Sequence, residues 1–315
     1  MNCELVVAGN LSLDDVSLPD GSRQENVIGG DALYGALGAR LWCPGVGMLS
    51  RRAGDFSPES LQRCREAGID LAGVPLFPGA SLHSLAVYRA DGGRQFTELS
   101  PPGTREAMSP RAEDIPPAYR RCRAAFLSAL PIDNQRELAE AFHRAGALVL
   151  LDPYEGDASG RREAVKDALR WVDVFLPSEE EAVRLLGPLE GERDFEGAAR
   201  TFASWGPGAV VIKRGAEGCL LYERAEDRFV RLPCRPTRAV DTTGAGDTFG
   251  GGLAAGLLRT GKLVEAACCG TISASYAVES FGPQGLFEAE RSAAEGRLEA
   301  YLKEKRSGED SGNGN

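Results

Sequence analysis

Short apolar runs alternate with longer segments of helical periodicity along most of the 315-residue chain, and this alternation limits the fold more than any other feature. Short apolar runs bounded by turn signals predict strands that are buried on both faces, as in parallel sheets. The predicted strands are 5–8, 46–49, 124–127, 148–151, 174–176 and 209–212, and the predicted helices are 32–42, 58–67, 135–144, 161–171 and 179–186. We therefore predict an α/β fold with a mostly parallel sheet and helices on both of its faces.

Two segments interrupt this alternation. Residues 13–27 are polar and contain a Pro-Asp-Gly sequence, and residues 84–98 alternate apolar and polar side chains around a glycine turn at 90–93. The second pattern predicts a β-hairpin, which in an α/β chain is either decoration or a lid. The chain ends in polar residues, and we expect 306–315 to form a disordered tail.

The charge of the chain excludes some classes of partner. Its 36 Lys and Arg residues stand against 46 Asp and Glu residues, which gives a net charge of −10. This acidic balance argues against a nucleic acid or an anionic membrane surface as partner. No apolar run reaches the roughly 20 residues of a membrane helix, and the first residues lack the pattern of a signal peptide, so we expect a cytoplasmic protein.

The eight cysteines include no C-x-x-C pair. We interpret them as free thiols in a reducing compartment. Because the chain has only two histidines, His83 and His143, we expect no structural zinc site.

A glycine-rich turn runs directly into an apolar helical stretch at residues 239–258. Glycines allow successive backbone N–H groups to converge, and a helix N-terminus adds positive partial charge, so Gly244, Ala245 and Gly246 predict an anion site. Asp247 stands where the helix would begin. It is either a helix cap or, beside a bound phosphate, the general base for a hydroxyl nucleophile.

Two better-known glycine motifs do not match this turn. A P-loop requires a lysine after its last glycine, and none follows here. A dinucleotide-binding turn requires G-x-G-x-x-G after the first strand, whereas this segment reads G-x-G-x-x-x-G and lies far along the chain.

With these residues in view, the sequence resembles the ribokinase-like (PfkB) family of carbohydrate and nucleoside kinases. The stretch from Asp241 to Asp247 matches the family's D-T-x-G-A-G-D signature in full. Further matches follow the family order: Gly9, Asp14, Gly29-Gly30, Gly54-Asp55, 177–182, Arg214-Gly215, Gly218 and 280–282. The resemblance implies a three-layer α/β/α kinase domain over residues 1–305, with a small β lid contributed by about 13–27 and 84–98.

The resemblance also implies ATP-dependent phosphorylation of a hydroxymethyl or hydroxyl group. Asp247 would take the proton of the acceptor, and the N–H groups of Gly244, Ala245 and Gly246 would hold the charge of the transferring phosphoryl group. The implied substrate-binding residues are Asp14, Gly29, Gly30, Asp31 and Tyr34. The implied nucleotide-binding residues are Ser178, Lys213, Gly215, Gly218, Thr242 and Gly282. Glu181 would bind Mg²⁺ through water, and Asp241 and Thr243 would lie at a monovalent cation site, with K⁺ as the candidate ion.

Several of these residues have a purely structural alternative. Asp14 and Asp15 are either two solvated loop acids or include one substrate-binding residue, a role for which Asp15 competes with Asp14. The remaining alternatives are a helix cap for Asp31, a solvated helix start for Glu181, a surface position for Lys213 and core packing for Tyr34. Ser178 and Tyr34 also stand where the family usually has asparagine, which leaves open how they act on phosphate and substrate.

We therefore predict a kinase that acts on a sugar or polyol. A nucleoside kinase of the same family and a non-catalytic sensor of a sugar or phosphosugar are the alternatives. The resemblance further implies a homodimer formed through the lid, because an unpaired sheet edge needs a cover.

Overall fold

The computed structural model describes residues 3–18, 20–89, 94–189 and 191–312. In chain order its strands are β1 (Leu5–Ala8), β2 (Ser12–Ser17), β3 (Arg23–Gly29), β4 (Val46–Leu49), β5 (Ile69–Gly73), β6 (Leu82–Tyr88), β7 (Arg94–Glu98), β8 (Ala124–Leu127), β9 (Leu148–Leu151), β10 (Val174–Phe175), β11 (Ala209–Lys213), β12 (Cys219–Glu223) and β13 (Arg228–Leu232). Its helices are α1 (Asp31–Arg40), α2 (Pro58–Glu66), α3 (Thr104–Met108), α4 (Ile132–Arg144), α5 (Glu155–Ala158), α6 (Arg162–Ala168), α7 (Glu179–Leu186), α8 (Glu192–Ser204), α9 (Ala245–Thr260), α10 (Leu263–Ala277), α11 (Gln284–Glu288) and α12 (Arg291–Gly312).

Within the described residues the central sheet has the order β13-β12-β11-β10-β9-β8-β1-β4-β5. The seven strands β11, β10, β9, β8, β1, β4 and β5 of this sheet pair in parallel with their neighbours, and β12 and β13 add an antiparallel edge beside β11. All six strands predicted from the apolar runs belong to this sheet. The prediction of a mostly parallel sheet is confirmed.

The two faces of the sheet are covered by separate helical layers. Leu5 and Val7 of β1 pack into the core on the side of α1, α9 and α10, whereas Val6 and Ala8 pack into the core on the side of α4 and α8. This alternation follows from the two-residue repeat of a strand, which sends neighbouring side chains to opposite faces. The result is the predicted three-layer α/β/α arrangement.

Helix α9 lies directly against α1 because both helices have glycine at the contact. A Cβ atom added to Gly251 would lie 1.9 Å from the carbonyl oxygen of Gly35, and one added to Gly38 would lie 2.3 Å from that of Thr248. The close approach fixes the position of the α9 N-terminus over the carboxyl ends of the parallel strands.

A second, four-stranded sheet has the order β3-β2-β6-β7. The hairpin predicted over 84–98 is present as β6 and β7, paired from Ser84 opposite Glu98 to Tyr88 opposite Arg94. The predicted glycine turn at 90–93 lies outside the described residues. The polar segment 13–27 contributes two strands, because β2 and β3 are held mainly by main-chain pairing to one another and to β6. Both segments predicted as the lid thus form one small sheet.

The disordered tail expected at 306–315 stays a prediction. Helix α12 continues through Gly312, so the backbone is helical over much of the segment expected to be a disordered tail. Lys303, Glu304 and Lys305 are good helix formers, which lets the helix extend beyond its packed part. Residues 313–315 lie outside the described part of the chain.

All eight cysteines are free thiols. Among the described residues, no helix combines the length and the apolar character that a bilayer crossing requires.

Candidate active site

Two cavities meet beside the N-terminus of α9. The larger has a volume of about 700 Å³ and lies between the β11–β12 turn, the start of α9 and helix α10. The smaller has a volume of about 150 Å³ and lies between the start of α1, the lid sheet and the start of α9. The larger has room for a nucleotide, and the smaller for one compact polar molecule.

The glycine-rich turn stands at the junction of these cavities. Ala245 and Gly246 line the larger cavity, whereas Gly244 and Asp247 line the smaller one. Gly244 precedes the helix with φ of +68°, a left-handed conformation that glycine adopts without strain. The first turn of a 16-residue helix thus presents its N–H groups where the two cavities join.

Asp247 is half-buried at this junction. Its Oδ1 accepts a short hydrogen bond from the hydroxyl group of Ser128, which follows β8. Burial raises the pKa of Asp247 and the carboxylate of Asp31 raises it further, while the Ser128 hydrogen bond and the charge of Lys213 oppose the rise. A carboxylate whose pKa is raised towards neutrality is suited to accept a proton from an alcohol.

The choice between Asp14 and Asp15 follows from the alternation along β2. Asp14 lines the smaller cavity, accepts a 3.2 Å hydrogen bond from Ser12 Oγ and has its pKa raised to about 6, mainly by burial. Asp15 accepts a hydrogen bond from the Asn26 N–H group and lies 3.2 Å from Nε2 of His83. Asp14 is therefore the acid that faces the cavity.

The start of α1 supplies the floor of the smaller cavity. Gly30, with φ of +98°, is the residue that precedes the helix, so Asp31 is its first residue rather than its cap. Asp31 lines the cavity, and burial raises its pKa. Gly29 lies behind Asp14, because a Cβ atom there would be 2.2 Å from Asp14 Oδ2.

Tyr34 combines both roles that the sequence left open. Its side chain is buried, and it also lines the smaller cavity. A Cβ atom added to Gly244 would lie 2.3 Å from the Tyr34 ring, so the ring rests directly on the glycine-rich turn.

Asn10 and Arg105 are among the residues of the smaller cavity that the sequence analysis did not predict. Asn10 is buried, accepts a hydrogen bond from Ser109 Oγ, and has an Nδ2 group without a hydrogen-bond partner among the described residues. Arg105 of α3 donates to Glu98 Oε2 at 3.0 Å; burial opposes the charge of Arg105, but Asp31 and Glu98 raise its pKa. The segment of Arg105 has no motif that could have indicated it. Asn10 directly follows Gly9, which was matched to the family, but Asn10 itself was not predicted.

Five of the six predicted nucleotide-binding residues line the larger cavity: Ser178, Lys213, Gly215, Gly218 and Thr242. Glycine is required at Gly218, where φ is +92° and a Cβ atom would lie 2.0 Å from the carbonyl oxygen of Leu232. Gly282 is not among the lining residues and instead donates its N–H group to Asp241.

Lys213 is half-buried and paired rather than a surface lysine. It forms an ion pair with Asp152, a residue that follows β9 and that the sequence analysis missed. Burial opposes the charge of Lys213, but the charges of Asp152 and Glu181 outweigh it and raise the pKa of Lys213. Burial raises the pKa of Asp152, and the charge of Glu181 raises it further.

These groups fit a hydrated divalent cation. Asp152 Oδ1 is buried and accepts no hydrogen bond within the described part of the chain. Glu181 closes a capping box with Ser178 at the start of α7, the structural role that competed with metal binding, and still adds negative charge beside Asp152. The described residues contain no cluster of three or more metal-ligating side chains, so the remaining ligands would be water and phosphate, as Mg²⁺ prefers.

Asp241 and Thr243 are joined by protein hydrogen bonds. Asp241 Oδ1 accepts from the N–H group of Thr243 at 2.8 Å and from its hydroxyl group at 2.6 Å. Asp241 Oδ2 accepts from the Tyr88 hydroxyl group at 2.7 Å and from the Gly282 N–H group at 3.1 Å.

Comparisons with known proteins give matches over most of the chain. The family described as pfkB family carbohydrate kinase matches residues 3–290. A cytidine kinase from Thermococcus kodakarensis is 31% identical over 89% of this chain and 97% of its own length. A fructokinase from Klebsiella pneumoniae is 31% identical over 83% of this chain and 86% of its own length. A solved structure described as a ribokinase II from E. coli, in complex with ATP and Mg²⁺, superposes with a TM-score of 0.76 at 20% identity, over 96% of this chain and 99% of that one.

Proposed function

Because the chain belongs to the pfkB family of carbohydrate kinases, we propose that it transfers the γ-phosphoryl group of ATP to a hydroxyl or hydroxymethyl group of a small sugar or polyol. The observation that supports this most is the position of Asp247. Its carboxylate lines the smaller cavity, and the N–H groups of the same helical turn border the larger one. A hydroxyl group held beside Asp247 would face a γ-phosphate held at the helix N-terminus.

In this proposal Asp247 accepts the proton of the attacking hydroxyl group, and Ser128 orients its carboxylate. The N–H groups of Gly244, Ala245 and Gly246 stabilise the charge on the transferring phosphoryl group. Because these donors are fixed before the reaction, each contributes typically ~3–4 kcal/mol to the transition state. Positioning and electrostatics then account for most of the catalysis, as is general for phosphoryl transfer.

The smaller cavity offers complementary groups to a molecule rich in hydroxyls. Asp14 and Asp31 accept hydrogen bonds, and the Nδ2 group of Asn10 donates one. A cavity of about 150 Å³ suits a single sugar ring or a short polyol.

In the larger cavity, Lys213 would neutralise phosphate charge, and the main chain of Gly215 and Gly218 would lie against the nucleotide. Asp152 and Glu181 would hold Mg²⁺ through water. When bound, Mg²⁺ supplies positive charge that screens the phosphates.

A nucleoside is the second candidate acceptor, for a specific reason. Phe96 of β7 lines the smaller cavity and is 44% exposed, so its ring lies at the rim where a base attached to a ribose would emerge. Stacking on an aromatic ring is sequence-tolerant and worth about 1–3 kcal/mol per base. The similarity to a cytidine kinase points the same way.

The proposal is tested by following ATP consumption with a panel of pentoses, hexoses, polyols and nucleosides, each compared with ATP alone. We expect acceptor-dependent turnover with one class. A Phe96→Ala variant separates the candidates, since it should weaken nucleoside phosphorylation and leave sugar phosphorylation within about twofold. Absence of turnover with every acceptor, from a folded protein that binds ATP, would contradict the proposal and favour a sensor.

A further inference from the structure

The loop that leads into the glycine-rich turn is held by hydrogen bonds that other protein groups donate to Asp241. Both carboxylate oxygens of Asp241 are engaged, each by two hydrogen bonds, and the residue is only 3% exposed. The main chain beside it is paired as well, because the carbonyl oxygen of Val278 accepts from the N–H groups of Val240 at 2.7 Å and Asp241 at 3.3 Å. This segment therefore joins 278–282 without a bridging ion.

Asp241 and Thr243 are the residues for which the family resemblance implies a monovalent cation, and the donor set does not fit one. A cation requires oxygen atoms that turn their lone pairs towards it. Here the Tyr88 hydroxyl group and the Gly282 N–H group both direct a proton at Asp241 Oδ2, where a cation would need a free lone pair. The Tyr88 oxygen also lies 3.0 Å from Thr243 Oγ1, between the two implied ligands.

Tyr88 reaches this place from the lid. It is the last residue of β6, and its ring packs edge-on against Phe281 with 4.9 Å between the ring centroids. Val16, Ala86 and Tyr88 form a small apolar cluster with Val27 and Phe281, which joins the underside of the lid to the 278–282 segment. Apolar packing thus holds the Tyr88 ring, and the hydrogen bond to Asp241 holds its hydroxyl group.

We propose that the Tyr88 hydroxyl group stabilises the carboxylate of Asp241, the role that a monovalent cation would otherwise have. The lid, and not K⁺, then holds the loop before Gly244 in place. Tyr88 is a positioning residue, since it touches Asp241 and Thr243 and acts on the phosphoryl site through them. Two consequences follow. The protein works without added K⁺, and the arrangement of the glycine-rich turn depends on the lid being docked.

The first test uses the unmodified protein, and only its turnover measurement rests on the proposed function. Nucleotide affinity (Mg²⁺ with AMP-PNP, by calorimetry) and melting temperature are measured in KCl and in tetramethylammonium chloride of equal ionic strength. Turnover with the best acceptor of the panel is measured in the same buffers. We expect each quantity to change by less than about twofold, or by less than about one degree for the melting temperature, because the Tyr88 hydroxyl group and the Gly282 N–H group already occupy Asp241 Oδ2. A tenfold gain in affinity or turnover with K⁺ would overturn the inference.

The second test replaces the donor. Tyr88→Phe keeps the ring on Phe281 and removes the hydroxyl group, leaving Asp241 Oδ2 short of one donor. We expect turnover to fall by about tenfold, the effect of losing a hydrogen bond to a charged group, and to recover at least fivefold with K⁺. Tyr222→Phe is the matched control, since the Tyr222 hydroxyl group donates to Asp227 at 3.0 Å away from both cavities.

We expect Tyr222→Phe to leave turnover and its K⁺ response unchanged. A Tyr88→Phe variant that behaves like Tyr222→Phe would overturn the inference, as would one whose loss K⁺ does not restore. If no acceptor is turned over, the proposed function fails, while the affinity and melting arms still decide between Tyr88 and K⁺.

Discussion

The two cavities that meet at α9 are built in different ways. The larger is walled largely by turns and helix ends, with Gly215, Gly218 and Gly246 among its lining residues and one buried ion pair at its edge. The smaller is walled by side chains: the carboxylates of Asp14, Asp31 and Asp247 face one guanidinium group. A ligand that is bound by main-chain groups is insensitive to most side chains nearby but sensitive to a Cβ atom added at a close-packed glycine. A ligand that is bound by side chains depends on the identity and charge of each residue.

This difference makes the glycine-rich turn the most sensitive point. In Gly244→Ala the new methyl group would enter the ring of Tyr34, so the turn must move. Since displacing a backbone donor of this kind costs about 10²–10³ in turnover, we expect a loss of at least about 100-fold, measured by ATP consumption.

Gly261→Ala is the control for that variant. Gly261 ends α9 with the same φ of +68°, but a Cβ atom there has no neighbour within 4 Å. It should lose stability by about 1 kcal/mol from backbone strain and keep its turnover. Equal turnover in the two alanine variants would show that the turn does not hold phosphate.

Lys213→Met tests one charged group of the larger cavity, the one that is paired with Asp152. Removing a cation that binds phosphate should raise the KM for ATP by about 10- to 100-fold, while the KM for the acceptor stays within about twofold. Because the change leaves Asp152 buried without its partner, the double variant Lys213→Met with Asp152→Asn serves as a stability control. A larger change in the KM for the acceptor than for ATP would break the assignment of the two cavities.

Ser128→Ala probes the support of the base in the smaller cavity. The hydrogen bond from Ser128 lowers the pKa of Asp247, so its removal should raise that pKa and move the acid limb of the pH–turnover curve to higher pH. We expect turnover at neutral pH to fall by about tenfold, with nucleotide affinity unchanged. An unmoved acid limb would show that Asp247 is not the titrating group.

Asp14 gives the smallest effect, and it is an effect on stability. Its pKa is about 6 in the folded chain against 3.8 for an unperturbed aspartate, so the folded state binds the proton more tightly and is destabilised when the group ionises. Asp14→Asn should therefore raise the unfolding free energy by about 1–2 kcal/mol at pH 8, and the gain should vanish as the pH falls towards 4. Thermal melts across this range would show it.

For Asp15, the neighbouring acid, we expect an effect on stability of the opposite sign. The N–H group of Asn26 holds the pKa of Asp15 below its usual range, so ionisation of Asp15 stabilises the folded state. Asp15→Asn should leave the protein slightly less stable at pH 8 and unchanged at low pH. A stability gain for both variants would mean that the two acids do not face different surroundings.

The same contrast explains what could be predicted from the sequence. An anion site could be proposed from the sequence because its predicted donors are consecutive residues, Gly244 to Gly246, in a local motif. The central strands were predictable because their apolar runs are bounded by turns. Asn10, Arg105 and Ser128 were not predicted as site residues, since they come from separate segments and meet only once the lid and the sheet are assembled.

Other misses have a related cause. Strands β5 and β13 carry polar or charged residues on their more exposed sides, so they lack the continuous apolar run of the central strands. Strand β12 has such a run, from Cys219 to Tyr222, and the sequence analysis gave no strand there. Gly282 was assigned to the nucleotide from its place in the family order, but its N–H group belongs to the Asp241 network. Asp152 directly follows a strand that was predicted correctly, and only its ion pair with Lys213 reveals its importance.

The most direct test of the account is the Asp247→Asn variant, assayed for both cavities at once. The substitution removes the proton acceptor and leaves the helix N-terminus in place. We predict that turnover falls by about 10²–10⁴, the usual contribution of a general base, while the Kd for Mg²⁺ with AMP-PNP stays within about twofold of the unmodified protein. Near-normal turnover, or a loss of nucleotide binding that parallels the loss of turnover, would contradict the separation of the two cavities at Asp247.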